Sequence, residues 1–293
     1  MTGDPLEGAL GDPRDLRAAI DAAAAVLARA GVESARTDAE LLAAHLAGLD
    51  RGGLVLAGTP GPAFLSRFEQ AVAERARRVP LQHITGCAAF GPIEVRVGPG
   101  VFVPRPETES LLEWALAQAH ALPDQPVILD LCTGSGALAI ALAAGLPAAR
   151  VIAIDDDEAA LGYARRNAAP TSVEVVAGDV GDPGLLAELI GSVDLVVANP
   201  PYLPAGTVLP PEVADHDPDH ALFGGPDGLA VITAVVARAA GWLRPGGLLA
   251  VEHDESTAAA SAQLLAGSFC DIRSHRDLTG RPRFVTARRS PLR

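Results

Sequence analysis

Val127-Ile-Leu-Asp-Leu-Cys-Thr-Gly-Ser-Gly-Ala-Leu-Ala-Ile-Ala-Leu-Ala-Ala144 passes from a short apolar run through a glycine loop into an alanine- and leucine-rich helix. Val127–Leu131 reads as a strand buried on both faces, as strands of parallel sheets are. Gly134 and Gly136 let the chain turn tightly where that strand ends and let a ligand approach the backbone. The pattern repeats downstream. Val151–Ile154, Val173–Val176, Val193–Ala198 and Leu248–Val251 are apolar runs, and Ala137–Ala144, Glu158–Asn167, Leu185–Ile190 and Leu229–Leu243 read as helices between them. Strands alternating with helices imply parallel crossovers, hence an α/β doubly wound, Rossmann-like sheet. Cys270–His275 and Arg283–Ala287 are expected to close it as an antiparallel pair.

The glycine loop carries the first chemical reading. Gly134-Ser-Gly-Ala-Leu-Ala139 fits the dinucleotide fingerprint GxGxxA, and Asp155 ends the second strand 21 residues after Gly134, where an acid can bind a ribose diol. This alone does not separate a nicotinamide cofactor from S-adenosylmethionine. Asp130, at the very end of the first strand, shifts the balance: it suits an ammonium group with a sulfonium nearby and would repel a pyrophosphate. Asp179 follows the third strand and can accept from an adenine amine. Three acids at successive strand ends line the edge where open α/β sheets bind ligands.

Asn199-Pro-Pro-Tyr202 follows the fourth strand. Its prolines fix the backbone and remove two N–H donors. What remains is a rigid turn displaying carbonyls, the Asn199 side-chain oxygen and an aromatic face, which suits a planar NH2 group. Such a nitrogen is a poor nucleophile because its lone pair is delocalised. Acceptors on both N–H bonds favour a nitrogen that is becoming pyramidal, so they stabilise the transition state more than the substrate. Tyr202 can stack on the planar group and hold it in line with a methyl–sulfur bond.

Upstream, residues 14 to about 79 read as helical. Leu16, Ile20, Ala23, Leu27 and Ala30 follow the spacing of one buried face, and Gly31 stops that helix. Thr37-Asp-Ala-Glu40 has the form of a capping box opening a second helix, and Phe64–Arg78 gives a third, ended by Pro80. Phe90–Gly98 alternates like a short hairpin, and the prolines of Val101-Phe-Val-Pro-Arg-Pro-Glu-Thr-Glu109 force an extended entry to another helix. The expected organisation is a helical domain over 1–85, a hairpin linker over 86–104 and a larger domain over 105–293.

Composition narrows the classes further. The chain has 23 basic residues, all Arg, against 36 acidic ones, for a net charge of −13. That balance disfavours a naked duplex as partner, and the absence of Lys excludes a Lys base, Schiff base or P-loop Lys. Cys87, Cys132 and Cys270 are far apart and form no metal-ligand pair, which suits reduced thiols in a cytoplasmic protein. No metal site is expected. The acidic N-terminus, broken by Pro and Gly, does not read as a signal peptide, and no apolar run suggests a membrane span. His216 and His220 lie in the loop after the tetrapeptide; His83, His253 and His275 read as structural, and the Arg-rich stretch from Arg273 to Arg293 as a solvated edge.

The chain resembles the HemK/PrmC family, the release factor glutamine N5-methyltransferases, which are class I S-adenosylmethionine-dependent enzymes. The resemblance rests on Asp130–Gly136, Asp155 and Asn199–Tyr202, and is narrowed by Pro80-Leu-Gln-His-Ile-Thr-Gly86, Phe102–Glu109 and His216-Asp-Pro-Asp-His-Ala-Leu-Phe-Gly-Gly-Pro-Asp-Gly228. It runs from about residue 15 to about 288. It implies methylation of the glutamine in the Gly-Gly-Gln tip of class I peptide chain release factors. Cys132, Thr133, Gly134, Ser135 and Gly136 would wrap the methionine part of the cofactor, Asp155 would bind the ribose, and Asp179 and Val180 would border adenine. Asn199 would also line the cofactor. Asn199 and the Pro200 carbonyl would accept from the target amide, beside Pro201, and Tyr202 would pack on it. Two positions depart from the family: Cys132 stands where Gly is common, which would narrow the loop slightly, and Val180 where an aromatic is frequent, which puts adenine stacking in doubt. A ribosomal-protein glutamine methyltransferase would use the same chemistry. An adenine N6- or guanine N2-methyltransferase would need a basic target-recognition part, and residues 1–80 carry 9 Arg against 11 acids. A non-enzymatic cofactor-binding module would not need the tetrapeptide.

Overall fold

The computed structural model describes residues 14–57 and 59–291; the N-terminal stretch read as carrying no signal peptide lies outside the described residues. Two compact units form. The first holds the described chain up to Gly86 together with Pro210–His216, and the second holds Cys87–Leu209 and the chain from Asp217 onward.

In the first unit, α1 (Arg14–Arg29) and α2 (Ala35–Ala47) pack with α3 (Pro62–Ala76), and α4 (Leu81–Thr85) follows. Leu16, Ile20, Ala23 and Leu27 on α1 meet Leu42, Phe64 and Phe68 in one core. The capping box expected at Thr37–Glu40 does not form, because α2 starts three residues earlier, behind Ser34. Asp38 is drawn inward instead: its Oδ2 accepts from Arg75 Nε at 2.7 Å, and its Oδ1 from the Ser34 hydroxyl at 2.7 Å. Arg75 also donates to Glu212 at 3.0 Å, and Arg78 holds the same carboxylate with two hydrogen bonds. Residues 210–216 thus belong to the helical unit, which sequence spacing did not suggest.

The second unit opens with the hairpin β1 (Cys87–Phe90) and β2 (Ile93–Arg96), closed by Gly91-Pro92. Its first strand lies earlier than the alternation from Phe90 suggests. Nor is the hairpin a separate linker: Ala88, Phe90 and Val95 are buried with Leu111, Leu112 and Leu138 in the unit's main core. After α5 (Pro106–Ala117) come β3 (Val127–Leu131), α6 (Ala137–Gly145), β4 (Arg150–Asp155), α7 (Glu158–Ala168), β5 (Glu174–Ala177) and β6 (Val193–Ala198). The chain continues through single-turn helices α8 (Pro211–Ala214) and α9 (Asp219–Leu222), then α10 (Ala230–Trp242), β7 (Leu243–Glu252), α11 (Ala258–Leu264), β8 (Phe269–Arg276) and β9 (Pro282–Arg289).

The sheet order is β5-β4-β3-β6-β7-β9-β8, parallel from β5 to β7, with β9 antiparallel to both its neighbours. Every residue of β6 is buried, as a central strand covered on both faces requires. Separate apolar clusters cover the two faces, one including α6 and the other including Trp242 of α10. The helix expected over Leu185–Ile190 shrinks to a 3-10 turn, Ala187–Leu189, since Gly184 and Gly191 bracket it and Leu186 adopts φ +46°. β3 leads away to β4 and β5, whereas β6 leads to β7, so the order reverses between β3 and β6. Their C-terminal ends form the crevice where doubly wound sheets bind ligands.

Candidate active site

Leu131, the last residue of β3, pairs with Ala198, the last of β6, and with Ile154 of β4. The glycine loop, Asp155 and the tetrapeptide therefore leave the sheet side by side. Gly134 (φ +58°) and Gly136 (φ +84°) take left-handed conformations. A Cβ on Gly136 would press on Ile140 at 3.3 Å, whereas one on Gly134 would meet nothing within 4 Å, so this side of the loop is open. Cys132 also has a left-handed φ, +57°, a conformation natural to glycine. The departure at this position thus places backbone strain in the loop.

The acids brace the loop. Asp130 is buried, and its Oδ2 accepts from the Thr133 hydroxyl at 2.5 Å and the Ala139 N–H at 3.1 Å. Burial pushes its carboxyl up to about 7, against those two bonds. Asp155 Oδ2 accepts the Gly134 N–H at 2.8 Å and its Oδ1 the Asp157 N–H at 3.1 Å; burial raises its pKa as well. Asn167 on α7, which no motif singled out, donates to the Ser135 carbonyl at 2.8 Å and the Arg96 carbonyl at 2.9 Å. Burial, with the fields of Asp155, Asp156, Asp130 and Asp179, pushes the Cys132 thiol up, so it stays protonated. Asp130 and Asp155 thus brace the loop by direct hydrogen bonds, and Asp156 and Asp179 act on it through their fields. Asp179 is exposed and accepts the Gly181 N–H at 2.7 Å, while Val180 is buried in the apolar cluster that includes Ile154 and Leu185.

On the β6 side, the Asn199 amide donates to Thr108 Oγ1 at 3.1 Å. The Thr108 hydroxyl donates to Glu252 Oε2 at 2.8 Å, and the Tyr202 hydroxyl to Glu252 Oε1 at 2.9 Å. Burial raises the Tyr202 phenol well above its ordinary range, so it remains a donor. Glu252 ends β7 and is buried; burial pushes its carboxyl up to about 7 against the bonds from Thr108 and Tyr202. Sequence reasoning quoted Thr108 without a role and missed Glu252. The available signal was an acid directly after the apolar run Leu248–Val251.

The loop after the tetrapeptide clamps it from behind. Leu203 N–H donates to the Leu222 carbonyl and Gly224 N–H to the Leu203 carbonyl, both at 2.9 Å. A Cβ on Gly224 would lie 2.5 Å from the Pro201 carbonyl, and one on Gly228 would lie 2.3 Å from the Tyr202 carbonyl. Only glycine lets these backbones approach so closely. Arg105 donates to Asp217 at 2.5 Å, joining the Pro-Arg-Pro segment to this loop. His220 lies 3.4 Å from Asp157. His253 is buried, with Nδ1 on the Asp254 carbonyl, and His275 stacks on Phe284 with ring centroids 4.6 Å apart, both packing arrangements.

Residues 18–86 match the PrmC N-terminal domain and residues 98–213 the methyltransferase small domain. The chain is similar to the release factor glutamine methyltransferase of Mycolicibacterium smegmatis, with 63% identity over 276 residues, 94% of this chain and 98% of that protein. It is 44% identical over 247 residues to the 4-amino-L-phenylalanine/4-methylamino-L-phenylalanine methyltransferase of Streptomyces pristinaespiralis, covering 81% of this chain and 82% of that protein. A solved methyltransferase from Pyrococcus furiosus shares the fold, with TM-score 0.50 and 20% identity over 70% of this chain and 92% of the other.

Proposed function

The chain belongs to the release factor glutamine methyltransferase family, and on that premise we propose that it methylates the side-chain nitrogen N5 of the glutamine in the Gly-Gly-Gln motif of class I peptide chain release factors. S-adenosylmethionine supplies an electrophilic methyl group on a sulfonium. The residues present fit it: the loop is open at Gly134, and the carboxyls around Cys132 suit a cation better than a pyrophosphate. Cys132–Gly136 would hold the methionine portion, Asp155 the ribose hydroxyls, and Asp179 with Val180 the adenine.

The observation that carries the reading is the bond from the Asn199 amide to Thr108. It turns the other end of the carboxamide, the carbonyl oxygen Oδ1, into the acceptor this residue offers to a substrate. Asn199 Oδ1 takes one N–H of the target amide and the Pro200 carbonyl takes the second. These acceptors strengthen as the nitrogen becomes tetrahedral and partly positive, which lowers the barrier. Tyr202 packs on the planar amide and is held by its hydroxyl on Glu252. No strong base is required, because the methylated nitrogen sheds its proton readily after transfer. The helical unit, matching the PrmC N-terminal domain, recognises the release factor.

Radiolabelled methyl transfer tests this with a bacterial release factor, ribosomal proteins, duplex DNA and 4-amino-L-phenylalanine side by side, the modified atom being located by mass spectrometry. Label on the Gly-Gly-Gln glutamine of the release factor is expected. Transfer to ribosomal protein or DNA with none to release factor would overturn the reading.

A further inference from the structure

Asn199 is useful as an acceptor only if its carboxamide lies the right way round, and a carboxamide is nearly symmetrical in shape. Two residues decide the matter. Thr108, on the first turn of α5, is 4% exposed, and Glu252, at the end of β7, is 1% exposed. β7 is paired to β6 through Val251 and Ala198, so Glu252 and Asn199 leave neighbouring strand ends at the same level. A threonine hydroxyl has one proton to give. When Glu252 is ionised its carboxylate accepts it at 2.8 Å, and Thr108 Oγ1 can then only accept from its other neighbour, Asn199, at 3.1 Å. The second Glu252 oxygen takes the Tyr202 hydroxyl at 2.9 Å.

We propose that Glu252, acting through the single proton of Thr108, is a positioning residue that sets which end of the Asn199 carboxamide faces the target nitrogen. The inference rests on the acceptor role of Asn199 given above. It distinguishes a carboxylate from a carboxamide at position 252. Gln has only one acceptor oxygen, so its NH2 must face the hydroxyl of either Thr108 or Tyr202. Facing Thr108, it makes that hydroxyl accept, sends the threonine proton towards Asn199 and favours the reversed carboxamide, with NH2 towards the substrate. Facing Tyr202, it makes the phenol accept, and the phenol proton loses the carboxylate that now takes it.

The test is a double-mutant cycle on the full chain, with release factor as substrate. Thr108→Val keeps the side-chain shape and removes the hydroxyl. It is expected to lower kcat about 10-fold or more, while KM for S-adenosylmethionine stays within about twofold. Thr108→Ser, which keeps the proton, restores kcat to within about threefold. Glu252→Gln behaves like Thr108→Val. The deciding measurement adds Thr108→Val to Asn199→Ala: if Thr108 acts through Asn199, the second change costs less than about twofold more. Multiplicative losses, or failure of Thr108→Ser to rescue, would overturn the proposal and leave the methyl-transfer reading intact. Near-normal turnover in Asn199→Ala would overturn both. Should Thr108→Val fail to fold, Thr108→Ala in the same cycle gives the same two outcomes.

Discussion

Asp155 contributes both oxygens to backbone N–H groups, of Gly134 and Asp157, so it braces the loop before any ligand arrives. Asp155→Ala is expected to weaken S-adenosylmethionine binding by about 1.5–3 kcal/mol, the scale of hydrogen bonds to a charged group, through lost ribose contacts and a loosened loop. Titration calorimetry reads this directly, and an unchanged affinity would remove Asp155 from the cofactor site. Asp130 and Glu252 yield a pH prediction. Burial raises both carboxyls to about 7, far above the range of the unfolded chain. The folded protein therefore binds more protons than the unfolded one between about pH 4 and 7, and stability without cofactor falls as pH rises through that window. Denaturant titrations at several pH values should show the fall. Asp130→Asn should make it shallower by removing the Asp130 share, because the amide keeps an acceptor oxygen and has no proton to lose, while Glu252 still titrates.

At the scale of the element, the tetrapeptide is one side of a close backbone packing whose other side is the loop carrying Gly224 and Gly228. Gly224→Ala puts a methyl group 2.5 Å from the Pro201 carbonyl, and backbone cannot swing aside as a flexible side chain can. Turnover is expected to fall about 10-fold or more while cofactor affinity holds, since the glycine loop is untouched. A steady-state comparison of kcat with calorimetric affinity checks it; losing both equally would mean that the change disturbs the whole sheet edge. Gly162, in α7, is the contrast. A Cβ there meets nothing within 4 Å, so Gly162→Ala should raise stability by about 0.5–1 kcal/mol, measured by thermal unfolding.

For the whole molecule, the notable feature is the excursion of residues 210–216 into the helical unit. Glu212 anchors it. Its burial opposes ionisation, but hydrogen bonds from Arg78 and Arg75 outweigh this and hold the carboxyl at about 2. A depressed carboxyl stabilises above its ordinary range and loses that contribution as pH falls towards about 2. Glu212→Gln at neutral pH should destabilise the helical unit, because Arg75 is buried and, among the described residues, would keep only Asp38 as an ionic partner. Limited proteolysis should then cut faster between Thr207 and Asp217 than in the parent; unchanged rates would show that the excursion is held otherwise. Among the described residues, no helix is long and apolar enough to cross a membrane, and no group of His, Cys, Asp and Glu is arranged to hold a metal.

The sequence by itself determined the doubly wound sheet, the order of its strands along the chain and the two loops that meet at its edge. Those features rest on local causes: apolar runs of strand length, glycines where the backbone turns back, prolines where it must stay extended. The alternation of Val127–Leu131, Val151–Ile154 and Val193–Ala198 with helices leaves few other ways to bury them. Tertiary structure alone decided which side chains act on one another across long separations. Thr108 and Glu252 are 144 residues apart, and Arg75 and Glu212 are 137 apart. Hydrogen bonds of this kind leave no periodic trace, because each depends on two elements packing at one particular height. The same holds for Asp38, an interior position of the apparent capping box, which pairs with a buried arginine 37 residues away. Hydrophobic patterning is repeated in every turn and strand and can be read locally, whereas a polar contact is a single coincidence that only the packed chain creates.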